Sequence, residues 1–582
     1  MQWTVLVVLA WTTLFLVALA AAAGRRRASP LAEGPTREGE GAALAPALDR
    51  RTLRLLLAIA LAVVLVRAPL AVGREVRNVD EFQYAATAEF ARWSGESVFG
   101  SPRNVGLHQL LYLAGSLERP FLAADLGTSL AVGLTSLLLG LTLLRAGGDR
   151  RAALLIGPCY ALLLLRFEGL SSNKEPWVGL CLAAWALCRL GRPPHAPLTS
   201  WRRQLVAGAC LGAAATMKEQ AIPLLLCEPL LELRDQLAAE GQPGARARAF
   251  LAHQGLAALG YWLPLLAFLG CYALHGQLGA YLSFIAEMAG TGGTPNQDLA
   301  RLLELPPPPA EIDLAAVGPP LPIALADALL RYALGPVGLL GCVGAISLLV
   351  EASELRARER RPALGFLLLA LLGGAAASIG RRWFGHYLML ACLGLAGLAV
   401  WRGLRALEER RRPETRAAAW ALLGLALLAS LNAALTLWTV PDVARGAGLD
   451  AEELAELREL GAELQRYVPA GERILVWGWR PELYFAAQRA PAVRYVCGLT
   501  ARKAEVVRDL ERYGPPAALI LPGERGLAAQ RYEDADGQPR RYDPYALGRH
   551  AWLVDYLRGV GYLRLPPVRG YTVLVRLDLK AP

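Results

Sequence analysis

Twelve stretches of this chain are apolar over most or all of the length needed to cross a bilayer, and that repetition constrains its fold more than any single motif. They are residues 3–23, 53–72, 121–144, 152–167, 176–190, 204–217, 220–233, 253–275, 323–350, 364–380, 384–401 and 417–439. A transmembrane helix takes ~17–25 predominantly apolar residues. Hydrocarbon offers backbone groups no hydrogen-bond partner, so such segments cross as helices. Charged residues make up 19% of the 582 residues and hydrophobic ones 54%, against ~25% charged in soluble domains. Mean hydropathy is +0.33. The expectation is a mainly α, polytopic transmembrane bundle of about 11–12 spans.

The net charge of +11 does not point to nucleic acid, because the basic residues cluster in short loops between apolar runs. Arg145/Arg150/Arg151, Arg189/Arg192/Arg202/Arg203, Arg234/Arg246/Arg248, Arg356/Arg358/Arg360/Arg361 and Arg402/Arg405/Arg410/Arg411/Arg412/Arg416 all fall in alternate loops. That is the positive-inside pattern, with the anionic inner leaflet as partner. Residues 1–27 read as an extra N-terminal span without a positive leader region, and 28–52 as a cytoplasmic linker. Residues 53–440 read as the transmembrane domain, with an external loop at 73–120, and 441–582 as an external, periplasmic domain. Abundant Ala, Leu and Arg with four Met suit a GC-rich bacterial genome and an inner-membrane location. Eight of nine cysteines lie in or beside apolar runs, where Cys packs as a small hydrophobe. Cys497 alone lies in the water-soluble tail, which leaves no disulfide framework there.

On the external side, residues 81–94 and 106–118 have apolar side chains at helical spacing. They are expected as amphipathic helices along the interface, with Trp93 and Tyr112 at headgroup depth. The 276–322 loop, with Pro306-Pro-Pro-Pro309, reads as long and irregular. Past 441 a charged helix (450–467), strands near 474–477, 517–521 and 572–576, and helices near 501–513 and 549–559 predict a small α/β domain. No Gly-rich phosphate loop accompanies it, so nucleotide binding is not indicated.

Three short segments carry chemistry. Asn78-Val-Asp-Glu-Phe-Gln-Tyr-Ala follows the second span and places Asp80 and Glu81 where the chain leaves the membrane. An acid there is either solvated or held for a reaction. Successive helical positions point ~100° apart, so the two acids cannot serve one reacting atom alike. Ser171-Ser-Asn-Lys-Glu-Pro176 brings Glu175 to the same side, before a proline suited to a helix's first turn; a Glu there is otherwise an N-terminal helix charge. Arg381-Arg-Trp-Phe-Gly-His-Tyr387 places two arginines on the external side, against the prevailing bias. They either snorkel or clamp a phosphate through bidentate hydrogen bonds. Lys218 adds an external cation that Glu219 alone could neutralise.

Together these segments resemble the GT-C membrane glycosyltransferases, and family 39 in particular, which holds protein O-mannosyltransferases and the lipid A aminoarabinose transferase. The likeness spans roughly residues 53–500. It rests on Val79-Asp-Glu-x-x-Tyr84-Ala, the Asn173-Lys-Glu-Pro loop, the Arg381–Tyr387 turn and Val476-Trp-Gly-Trp-Arg-Pro-Glu-Leu-Tyr484 in the tail. The resemblance implies sugar transfer from a polyprenyl-phosphate donor to an envelope lipid, glycan or protein, inverting the anomeric carbon. It makes Asp80 the base, with Glu81 its local rival and Glu175 positioning the sugar or acceptor. Arg381, Arg382, Lys218, His386 and Tyr387 would hold the phosphate, with Tyr84 lining the site. No cofactor is certain, though Asp80 and Glu175 could share a divalent cation. Two features depart from the family. Asn104-Val-Gly-Leu-His-Gln109 has no lysine where the aminoarabinose transferase places one near the donor phosphate, leaving His108 in that neighbourhood. The carbohydrate-binding insertion of the eukaryotic mannosyltransferases is also missing, which does not favour a protein acceptor. The rival classes are a polyprenyl-linked glycan transporter, expected to show charges inside its spans and an internal repeat, and a scaffold acting through its tail. By sequence, intramembrane charge reads as sparse.

Overall fold

The computed structural model describes residues 49–73, 77, 79–100, 107–148, 150–165, 171–191, 201–238, 242–283, 341, 344–345, 348, 357–378, 385–403, 451–478, 480–494, 503–522, 530–533, 539–542 and 550–579. The spans expected at 3–23 and 417–439, and all but isolated positions of 323–350, lie outside these.

Helix α1 (Arg50–Val72) starts where Asp49 accepts hydrogen bonds from the Thr52 amide and hydroxyl, a side-chain cap of the usual kind. Leu57, Leu61, Leu65 and Val66 on its outer face are 48–63% exposed, which in water would be costly and in lipid is favourable. Helix α2 (Val79–Ser94) follows, then a 3₁₀ turn (Leu107–Ala114) and helices α3 (Leu122–Arg145), α4 (Arg150–Leu165), α5 (Glu175–Arg189) and α6 (Trp201–Met217). Next come a 3₁₀ stretch (Glu219–Leu226), α7 (Cys227–Ala238), α8 (Pro243–Leu274), α9 (Ala357–Ser378) and α10 (Gly385–Leu398). Helices α1, α3 and α8 are long and apolar enough to span a membrane. Helix α3 is the central one, with most of its length buried. Helices α6 and α8 cross through paired glycines: a Cβ on Gly208 would sit 1.9 Å from the Ala257 carbonyl oxygen, and one on Gly260 2.0 Å from that of Leu205. Small residues at such crossings let backbones approach closely.

The chain continues through α11 (Ala451–Tyr467), β1 (Arg473–Val476), α12 (Glu482–Ala486), β2 (Ala490–Pro491), α13 (Lys503–Tyr513) and β3 (Ala518–Leu521). The β4–β5 hairpin (Gln530–Glu533, Pro539–Tyr542), α14 (Ala551–Val560), β6 (Tyr562–Arg564) and β7 (Thr572–Arg576) complete it. One sheet runs β2-β1-β3-β7-β6, with β1 parallel to β2 and β3 and antiparallel pairings at β3–β7 and β7–β6. Its strands alternate faces, as a period of two requires. Ile474, Val476, Ile520 and Val573 pack with α11 and α12; Leu475, Leu519 and Leu521 pack with α13 and α14.

Three expectations are corrected. The face of α2 is covered by protein: Phe82 to Ala91 are buried apart from half-exposed Tyr84, packed between the bundle and the tail's sheet. Residues 107–114 are 3₁₀ rather than α, and both aromatics have protein partners. Tyr112 is fully buried, and the Trp93 indole donates to the Pro491 carbonyl at 2.9 Å. The 220–233 span is a 3₁₀ stretch running into α7, because Pro223 removes an amide donor and its ring would clash with the carbonyl four residues back in an α-helix.

Candidate functional site

The site is built around one buried cation. Arg77, just ahead of α2, donates to both carboxylate oxygens of Asp125 on α3, at 3.1 and 2.8 Å, and to the Ala71 carbonyl at 3.3 Å. Its guanidinium lies 4.1 Å from the Phe121 ring centre and 3.6 Å from the Glu81 carboxylate. Asp125 and Glu81 are both fully buried. Such charges are tolerable only when paired and hydrogen-bonded.

Ser172 closes the network. Its amide donates to Glu81 at 2.9 Å, its hydroxyl donates to Asp125, and its carbonyl accepts from the Tyr112 hydroxyl at 3.1 Å. Arg67 on α1 reaches the Ser171 carbonyl at 3.1 Å and the Ser129 hydroxyl at 2.7 Å. Four elements therefore hold the 171–175 loop against the start of α2. Lys174 stands 5.6 Å from the Tyr84 ring centre, and Tyr84 lies one turn beyond Asp80, on the same face of α2. Glu175 opens α5 with Pro176 behind it and accepts from the Lys218 ammonium.

The structure thus joins Glu81, Tyr84, Glu175 and Lys218 into one contiguous set. Asp80 stands at its edge, half-exposed on the first turn of α2. Lys218 pairs with Glu175 and not with Glu219 alone. Arg381 and Arg382 lie outside the described residues. His386 and Tyr387 occupy the first turn of α10 and His108 the 3₁₀ turn, with side chains outside what is described. Among the described residues no group of three or more His, Cys, Asp or Glu side chains is placed to hold a metal ion. With one oxygen on Lys218, Glu175 would offer a cation only the other.

Sequence reasoning missed Asp125, Arg77, Arg67 and Ser172. Asp125 and Arg67 left a signal, since an ionisable residue inside an apolar run is functional by default. Ser172 left none, because its amide, carbonyl and hydroxyl find their partners on distant segments.

A second charged cluster lies toward the other end of α5. Arg189 pairs with Glu228 at 3.0 Å and Glu232 at 2.7 Å; Glu232 also meets the His253 ring at 2.5 Å, and Arg361 meets Asp235 at 2.8 Å. The Trp185 indole donates to Glu228 at 3.0 Å. Six acids and bases, Arg189, Glu228, Glu232, Asp235, His253 and Arg361, therefore converge in one largely buried cluster.

No protein-family model matches the sequence, and no curated protein matches it significantly. Solved structures do. The chain is similar to ArnT from Cupriavidus metallidurans bound to undecaprenyl phosphate, at 14% identity over 91% of this chain and 99% of that one, with a TM-score of 0.50. It is similar to the Archaeoglobus fulgidus oligosaccharyltransferase tethered with an acceptor peptide, at 12% identity over 83% and 74%, TM-score 0.48. A S. cerevisiae protein O-mannosyltransferase complex bound to its sugar donor matches over 40% of this chain and 35% of that one, at 16% identity and TM-score 0.33. The chain is a membrane protein whose structural neighbours are GT-C glycosyltransferases.

Proposed function

We propose that this protein is an integral-membrane glycosyltransferase that moves a sugar from a polyprenyl-phosphate donor to a lipid, glycan or protein acceptor. The reaction takes place at the external face of a bacterial inner membrane, beneath a periplasmic C-terminal domain. The observation that carries the reading is the contrast between two adjacent acids. Glu81 is sealed and fixed by Arg77 and the Ser172 amide, while its neighbour Asp80, about 100° round the helix, is half-exposed at the edge of the set that includes the Glu175–Lys218 pair.

In this reading Asp80 takes the proton from the acceptor hydroxyl as that oxygen bonds to the anomeric carbon. The bond from that carbon to the phosphate oxygen breaks on the opposite face, which inverts the centre. Polyprenyl phosphate leaves with the electron pair. Lys218, with Arg381, Arg382, His386 and Tyr387, neutralises the growing charge, so a strong general acid is not needed. Undecaprenyl phosphate, held by the ArnT neighbour, is the donor lipid to try first.

The test is sugar transfer and release of polyprenyl phosphate in vesicles supplied with polyprenyl-phosphoryl sugars. Asp80→Asn should lower turnover about 10²–10⁴-fold without changing thermal unfolding, whereas Glu81→Gln should chiefly lower the unfolding temperature. Full activity in Asp80→Asn would remove the proposed base. A transporter would move the donor with its glycosidic bond intact and release no polyprenyl phosphate.

A further inference from the structure

Four polar atoms within five residues of the candidate site have no hydrogen-bond partner: the Ser171 hydroxyl, both the carboxamide oxygen and nitrogen of Asn173, and Oε2 of Glu175. Each belongs to a side chain at most 3% exposed. Orphaned buried groups are rare and cost about 1–3 kcal/mol each. The loop is not poorly held, since its backbone and Ser172 are bonded to four elements. A well-anchored loop that leaves only these atoms unsatisfied is set up for a partner that is not protein.

The chemistry of that partner follows from the atoms. Glu175 Oε2 and Asn173 Oδ1 accept, Asn173 Nδ2 donates, and the Ser171 hydroxyl does both. A cation would satisfy the oxygens and leave the amide nitrogen orphaned. A phosphate would satisfy the nitrogen and be repelled by the carboxylate. Hydroxyl groups, each a donor and an acceptor, satisfy all four. We propose that Ser171, Asn173 and Glu175 form the recognition site for the hydroxyls of the sugar ring carried on the donor lipid. This rests on the donor reading above. The other oxygen of Glu175 is held by Lys218, so Oε2 alone is left to accept from a ring hydroxyl. The orphaned atoms are buried, and the ring enters as these side chains turn.

Asn173→Leu separates this role from a structural one, because it keeps the shape and removes the orphaned amide. Binding is measured on the full-length protein in nanodiscs with undecaprenyl phosphate and with its glucosyl, galactosyl, mannosyl and N-acetylglucosaminyl forms. The wild type should bind one sugar form more tightly than the bare lipid. Asn173→Leu should erase that advantage, about tenfold for one or two hydrogen bonds to a buried group, and leave bare-lipid affinity unchanged. Its thermal unfolding temperature should hold or rise, since an apolar replacement of an unsatisfied group is neutral or stabilising. A lower unfolding temperature with the sugar preference intact would make Asn173 a structural residue. Equal losses for bare and glycosylated lipid would move the site to the phosphate. Loss of sugar binding in EDTA, restored by Mg²⁺ or Mn²⁺, would make these oxygens cation ligands. No advantage for any sugar form overturns the sugar site alone; failure to bind even the bare lipid overturns the donor reading with it.

Discussion

Arg77 is gripped by two carboxylates, and the two are tied together through Ser172. Removing one member of such a buried set leaves an uncompensated charge, costing about 3–5 kcal/mol. Arg77→Met or Asp125→Leu alone should therefore destabilise the detergent-solubilised protein by that order in chemical unfolding. The double variant should cost clearly less than the sum, because it leaves no lone charge on this pair; strict additivity would show that the pair is not coupled. That Asp80 and Glu81 mattered was legible from their place just past an apolar run. Which of them faces inward was not, because it depends on Arg77, Asp125 and a loop 91 residues further on.

Helix α2 was readable to within two residues at its start, since Phe82, Ala85, Ala86, Phe90 and Trp93 recur at helical spacing. What covers that face was not, and it proved to be the tail's sheet rather than lipid headgroups. The 220–233 span shows a different limit. Apolar length suggested an ordinary helix, yet Pro223 makes eight residues 3₁₀. At ~2.0 Å rise per residue against ~1.5 Å, Lys218 stands about 4 Å further out than an α-helix would carry it. Pro223→Ala lets that stretch relax and withdraw Lys218. It should lower kcat and kcat/KM about tenfold, as loss of an interaction made chiefly in the transition state does. Lys218→Gln should then add little in the Pro223→Ala background, and independent, multiplying effects in steady-state kinetics would refute the link.

The tail is clasped to α2 by Glu96, which accepts from Arg512 at 2.8 Å and the Tyr513 hydroxyl at 2.5 Å and pairs with Arg494 at 3.2 Å. The Trp93 ring packs edge-on to Tyr513, and Arg473 lies 4.5 Å from its centre. Burial, with the bond to and charge of Glu96, pushes the Tyr513 hydroxyl up to about 12. Below about pH 10 Tyr513 is protonated whether folded or not, and its contribution is complete. Between about pH 10 and 12 the unfolded chain ionises first, so that contribution falls as pH rises. The difference in unfolding temperature between wild type and Tyr513→Phe should shrink across that window. A difference that stays constant from pH 9 to 12 would mean that Tyr513 does not fasten the tail through its proton.

The sequence by itself determined what short-range physics can encode: apolar length, helical and strand periodicity, the proline that opens α5, the helix–strand alternation of the tail, and the motifs resembling GT-C enzymes. These depend on neighbours a few residues apart. Only the tertiary structure decided that Glu81 is sealed while Asp80 is half-exposed, that Lys218 belongs to Glu175, that Asp125 anchors Arg77, and that Arg189 meets Glu228 and Glu232. Those choices are made by desolvated charges finding partners on distant segments. A buried charge must be paired wherever the fold brings a counter-charge to it, and no local pattern in the chain records where that will be.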